Sequence, residues 1–379
     1  MADARGPLPR WLAPLAWPLA RAYGAGVAHR NARFDRGVGV HRLEVGGIRP
    51  PVVSVGNLTA GGTGKSPFVA WIAREIAARG GKAVIAMRGY RGVSDGRGGV
   101  MSDEAVEYAS TAPEALVVVG GRRREALGQA LAGAPWLDRA VVVLDDGFQH
   151  RMLARDLDIV LVDATRPGLD GDLLPNGWLR EPAHAITRVR GAAFDAPADD
   201  RTVLARQFAA AGRARDGLVV LTKADDGAER ARAAASVLRW RGCAHDASCV
   251  HEWSGIEVAQ GDAQTRALPV STLAGARVVS ACALGNPAHF HAMVERAGAQ
   301  VAERLEKADH RAFRAEELES AARRSGARMV VMSRKDRVKL DRAPAVEVAV
   351  PALALRFLEG EDRARAAISA LVSGRAARA

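Results

Sequence analysis

Aromatic residues are scarce, at 5% of 379 positions, and no recognisable DNA- or RNA-reading module accompanies them. A nucleic-acid partner is therefore not expected. Cysteine is scarcer still. Cys243, Cys249 and Cys282 cannot build a disulfide framework, which points to a reducing compartment. No stretch reaches the roughly 18–20 apolar residues that span a bilayer. The N-terminal segment also lacks the apolar core and small-residue cleavage site of a signal peptide. Acidic residues fall short of basic ones, 43 against 54, for a formal net charge of +11. That excess favours anionic partners such as acidic lipid or a phosphorylated substrate.

What is present suffices for a large buried core, since 48% of residues are hydrophobic. Apolar runs of strand length recur at Val52–Val55, Ala83–Met87, Leu116–Val119, Ala140–Leu144, Ile159–Val162 and Leu218–Leu221. Helical patterns such as Phe68–Arg79 and Arg122–Leu131 lie between several of them. The alternation predicts an α/β fold with a parallel sheet flanked by crossover helices. A smaller α/β set follows: Val278–Leu284, helices near Ala288–Ala297 and Ala315–Ser325, and Met329–Met332. The stretch Asp225–Ala274 fits neither set by pattern.

The sequence "SVGNLTAGGTGKSP" (Ser54–Pro67) stands between the first apolar run and the first helix. It matches the end of the phosphate-loop pattern G-x-x-x-x-G-K-[ST], with Thr59 in place of the first glycine. Backbone N–H groups from Thr59, Ala60, Gly61, Gly62, Thr63 and Gly64 to Lys65 can wrap phosphate oxygens at the positive end of the helix. Lys65 would reach the terminal phosphates of a nucleotide and Ser66 would ligate Mg²⁺. An acidic partner is expected at the end of another strand, and "AVVVLDDGFQH" supplies Asp145 and Asp146. By itself, a double Asp before Gly is equally a turn.

Two other patterns weaken on inspection. "LTKAD" is similar to the guanine-reading N-K-x-D element of GTPases, but Thr222 replaces Asn and no D-x-x-G stands in register. The Cys243, His245, Cys249, His251 cluster has zinc-binding residue types at a spacing unusual for a zinc knuckle.

The N-terminal "RWLAPLAWPLARAYGAGVAHRNARF" sets Trp11 and Trp17 among arginines. Such a segment suits either an amphipathic helix in the headgroup layer or a helix docked on the core. Pro14 and Pro18 are expected to limit its regularity.

Taken in order, "GNLTAGGTGKSP", "SDEA" (Ser102–Ala105), "DDGFQH" (Asp145–His150), "LREP" (Leu179–Pro182) and "ADHRAF" (Ala308–Phe313) closely resemble the tetraacyldisaccharide 4'-kinase family of Gram-negative lipid A synthesis. The resemblance implies an ATP- and Mg²⁺-dependent kinase acting on a glycolipid, tetraacyldisaccharide 1-phosphate. It implies work at the cytoplasmic face of the inner membrane, on an anionic surface. It assigns Asp103 as general base with His310 as its partner, and Lys65 and Ser66 as the phosphate-loop pair. Asp145, Asp146 and Glu181 become the acids of the metal site, and Arg180 a contact to the substrate phosphate. Ser102 and Ala105 replace the family's flanking Gly and Pro, and "SRKD" (Ser333–Asp336) stands where T-E-K-D is usual. With a lipid substrate, the Trp11/Trp17 segment reads as a monotopic anchor. The expected organisation is an anchor over 1–33, a P-loop core over 34–225, and a smaller domain over 226–379 that closes over the active site. The rival expectation is a GTPase-like, nucleotide-switched membrane-targeting protein.

Overall fold

The computed structural model describes residues 7–8, 10–89, 93–94, 100–101, 103–190, 215–261, 263–308 and 311–373. The chain divides into two compact units. The first comprises residues 1–90, 111–250 and 355–379, and the second residues 91–110 and 251–354.

In the first unit, six apolar runs become strands: β1 (Val52–Gly56), β2 (Lys82–Met87), β3 (Leu116–Val119), β4 (Ala140–Asp145), β5 (Leu157–Asp163) and β6 (Arg215–Thr222). They lie in the order β6-β5-β1-β4-β2-β3, every pair parallel. Val, Ile and Leu fill these strands because both sheet faces are covered, which removes the alternation of a half-exposed strand. Val53, Val55, Val143 and Val160 are completely buried. One face packs Val160, Val219 and Leu221 against Ala233 and Val237 of the helix Gly227–Arg241. Farther along the same face, Val84, Val142 and Leu144 pack against Leu127 and Leu131 of the helix Arg123–Leu131.

Two helices matter most for the site. Helix α1 (Ala13–Asp35) runs continuously through Pro18. That proline falls early in the helix, where its missing N–H removes a single backbone bond. Helix α2 (Lys65–Ala78) starts at the end of the glycine-rich loop and buries Phe68, Val69, Ile72 and Ile76.

The segment Asp225–Ala274 resolves into the helix Gly227–Arg241, the long strand β7 (Ala247–Ala259) and the short strand β8 (Arg266–Leu268). Asp226 caps that helix by accepting from the N–H groups of Ala228 and Glu229. Cys249 is buried in β7, and His245 Nε2 lies 2.8 Å from Glu359. Among the described residues no group of three His, Cys, Asp or Glu side chains is placed to hold a metal ion.

In the second unit, β9 (Arg277–Cys282), β10 (Gln300–Glu306), β11 (Met329–Met332) and β12 (Glu347–Glu359) lie in the parallel order β10-β9-β11-β12. Helix α3 (Asp103–Thr111) belongs largely to this unit, as do the helices Pro287–Arg296 and Ala315–Ser325.

Candidate active site

The site is built where β1 and β4 end together. Their parallel register sets Val55 opposite Asp145, so the glycine-rich loop after β1 and the acidic pair leave the sheet side by side. The approach is tight. A Cβ on Gly56 would stand 2.7 Å from the Phe148 backbone nitrogen, which leaves no room for a side chain at the strand end. Gly64, the residue before α2, adopts a left-handed φ of 79°, a conformation glycine reaches without strain. The turn it makes sets Lys65 and Ser66 in the first turn of α2, at the positive end of the helix.

A third segment joins this edge. Ala60 N donates to Trp178 O and Arg180 N donates to Leu58 O, with Thr59 bridged to Leu179. This short antiparallel pairing lays Arg180 along the loop. Its guanidinium donates to both Asp146 oxygens, at 2.9 and 2.7 Å. Lys65 Nζ stands 3.5 Å from the same carboxylate and donates to Asn57 Oδ1 at 3.2 Å. Burial alone would raise the Asp146 pKa, but Lys65, Arg180 and Arg123 together hold it below the usual carboxylate range. Asp146 itself sits at φ 51°, a left-handed backbone uncommon for a side-chain-bearing residue and frequent at functional sites.

Lys65, Asp146 and Arg180 are thus brought into one cluster, with Ser66 and Asp145 adjacent in the chain. Glu181 takes a different set of partners. Its fully buried carboxylate accepts from Asn31 Nδ2 at 2.8 Å and lies 2.9 Å from Arg188 and 3.7 Å from Arg30. Asp103 is the first residue of α3, in the second unit; its side chain and all of His310 lie outside the described residues. Trp11 and Trp17 are exposed, at 78% and 59%. Beside Trp17, a cleft of about 470 Å³ is lined by Arg21, Gly24, Leu173, Asn176 and Trp240 among others.

The family model for tetraacyldisaccharide-1-P 4'-kinase (LpxK) matches residues 12–373. The chain belongs to this family. It is 35% identical over 376 residues to the tetraacyldisaccharide 4'-kinase of Anaeromyxobacter dehalogenans strain 2CP-1, covering 94% of this chain and 89% of the relative. Against the enzyme of that name from Geobacter sulfurreducens it is 33% identical over 346 residues, covering 86% and 84%. The fold matches that of LpxK from Aquifex aeolicus in complex with ATP, with a TM-score of 0.63 at 24% identity, over 95% of this chain and 99% of that one. Family membership sets aside the GTPase-like switch.

In this kinase the structure adds residues that motif reading left without a role. Asn57 accepts from Lys65 through its side chain, while its backbone oxygen accepts from Gln149 Nε2 at 2.9 Å. The first and second motifs are therefore stitched together by their own amides. Arg123 donates to the Asp145 backbone oxygen at 2.7 Å. Asn57 and Gln149 stood inside the quoted motifs, so the signal was present; Arg123 lay in none of them.

His150 closes the second motif under unusual electrostatics. Burial, followed by the charges of Arg123, Arg155 and Arg88, lowers its pKa to about 4. The unfolded chain, with an ordinary histidine near 6.5, then binds more protons between those values than the folded one does. His150 therefore contributes stability that is complete above about pH 6.5 and fades as the pH falls toward 4. Chemical denaturation of wild type and His150→Gln across pH 4–7 checks this. The stability of the wild type should fall more steeply on acidification; parallel curves would contradict it.

Proposed function

We propose that this protein transfers the γ-phosphate of ATP to the 4'-hydroxyl of tetraacyldisaccharide 1-phosphate, at the cytoplasmic face of the inner membrane. The observation that carries the reading is the cluster of Lys65, Asp146 and Arg180 beside a glycine-rich helix N-terminus, in a chain of the LpxK family.

Phosphoryl transfer depends on positioning and charge stabilisation more than on covalent chemistry. The loop amides of residues 59–65 and the N-terminus of α2 would bind the phosphates, with Lys65 reaching the terminal ones. Ser66, Asp145 and Asp146 are hard oxygen donors of the kind Mg²⁺ prefers. Magnesium held there supplies neutralisation of the phosphate charge. Glu181, assigned to the same donor set by family likeness, is held on one oxygen by Asn31 and Arg188. Asp103, aligned by motif with the family's proposed base, would take the proton of the sugar hydroxyl, with His310 orienting it. Arg180, already at the loop, would contact substrate phosphate.

The anchor reading rests on α1. Its inward face is small, with Ala16, Ala20 and Val27 buried, while Leu15, Trp17 and Leu19 are exposed, as is Trp11 in the turn just before it. Large apolar groups turned outward beside Arg21, whose guanidinium lies 4.9 Å from the Trp17 ring, suit a headgroup layer. No helix among the described residues is long and apolar enough to cross a membrane. The adjacent cleft beside Trp17 would take part of the lipid.

Labelled γ-phosphate supplied as ATP or GTP to tetraacyldisaccharide 1-phosphate in mixed micelles tests the reaction. A bis-phosphorylated lipid made from ATP, reduced at least about 100-fold in Asp103→Ala, is the expected result. Hydrolysis without lipid product, faster with GTP, would sink the proposal. For the anchor, wild type should sediment with vesicles containing anionic lipid, and Trp11→Ser/Trp17→Ser should remain largely in the supernatant. Equal partitioning of the two proteins would refute it.

A further inference from the structure

The "LTKAD" sequence, which fails as a guanine reader, has a different use in the fold. Thr222 is the last residue of β6 and Lys223 follows it with a left-handed φ of 52°. Both side chains are buried beneath the glycine-rich loop. Thr222 Oγ1 donates to Thr63 O at 2.8 Å, and Lys223 Nζ donates to Gly62 O at 2.6 Å. The ammonium is fixed from its other side by Asp163 Oδ2 at 2.5 Å. Asp163 ends β5, in register with Thr222, and its second oxygen accepts from the Thr165 N–H and hydroxyl.

We infer that Thr222 and Lys223 are positioning residues that aim the loop's amides at the phosphates. The reason is the planarity of the peptide unit. In a trans peptide the C=O of one residue and the N–H of the next point in opposite directions. Holding the carbonyls of Gly62 and Thr63 down against the sheet edge turns the N–H groups of Thr63 and Gly64 outward, to the side where Gly61 and Gly62 are exposed. Two successive amides so oriented form an anion nest. A loop this rich in glycine would otherwise sample many conformers, and ordering it would weaken ATP binding.

A purely structural role fits the geometry less well. A buried Lys–Asp pair adds little stability over apolar residues of similar size. This pair instead spends one of the ammonium's hydrogen bonds on a loop carbonyl. The left-handed backbone at Lys223 is itself a local strain, kept where the side chain must turn back under the loop.

This inference rests on the reading that the loop holds ATP phosphates, and its test separates the two. Thr222→Val removes one carbonyl anchor at constant shape. Lys223→Met paired with Asp163→Asn removes the other without stranding a buried charge. Calorimetric titration with MgATP, thermal unfolding, and steady-state KM values for ATP and lipid are measured on each. ATP affinity is expected to fall about 5–10-fold in Thr222→Val and by more in the double variant, with the lipid KM unchanged. Wild-type ATP affinity in both variants, or a loss of melting temperature with no change in ATP affinity, overturns the inference while leaving the kinase reading in place. No ATP binding by the wild type overturns both. Affinity that falls equally for ATP and lipid marks general loosening and also overturns it.

Discussion

The site depends on one adjacency, the parallel pairing of β1 with β4. Because Val55 stands opposite Asp145, a glycine-rich turn and an acidic pair emerge at the same sheet edge with no long-range device needed to bring them together. The other features are responses to that crowding. Gly56 has no side chain because the Phe148 backbone occupies its place. The charge of Asp146 is met by Lys65 from one side and Arg180 from another. Arg180 reaches the edge because residues 58–60 and 178–180 pair as a short antiparallel ladder. A parallel sheet delivers ligands at the carboxyl ends of its strands, and here three of those ends, at Gly56, Asp145 and Thr222, serve one loop.

The N-terminal helix is bound into the same system. Tyr23 donates its hydroxyl hydrogen to the Arg180 backbone oxygen at 2.8 Å, and Asn31 donates to Glu181. The helix that carries the exposed Trp17 therefore also holds the segment whose guanidinium touches Asp146. Its buried face is made of alanine and valine, which permits close packing, and its large side chains remain outside. The result is a helix with one face packed on the unit and the other exposed.

Much of this was legible in the residues. The strands of the first unit were marked by runs of Val, Ile and Leu, a signal that parallel sheets make strong because both faces are buried. The loop and its acidic partner were legible because their chemistry needs particular residues at fixed spacing. Asp225–Ala274 was harder. Strand β7 changes from fully buried to alternating partway along its 13 residues, so neither periodicity holds throughout. The partners of Glu181 were beyond reach, since Asn31 lies 150 residues away and nothing in "LREP" points to it. Lys223 was visible but misdirecting. Its motif suggested a base to be read, whereas in the fold the side chain turns toward the phosphate loop. Asp103 and His310 were assigned through family likeness rather than from spacing.

The most direct test of the central claim is to find where the new phosphate sits. Product made from ATP and tetraacyldisaccharide 1-phosphate would be examined by proton–phosphorus correlation NMR. The account requires a second phosphorus coupled to the proton on carbon 4' of the distal sugar, beside the original one at carbon 1. A phosphate on another hydroxyl, or phosphorus found only as free inorganic phosphate, would contradict it.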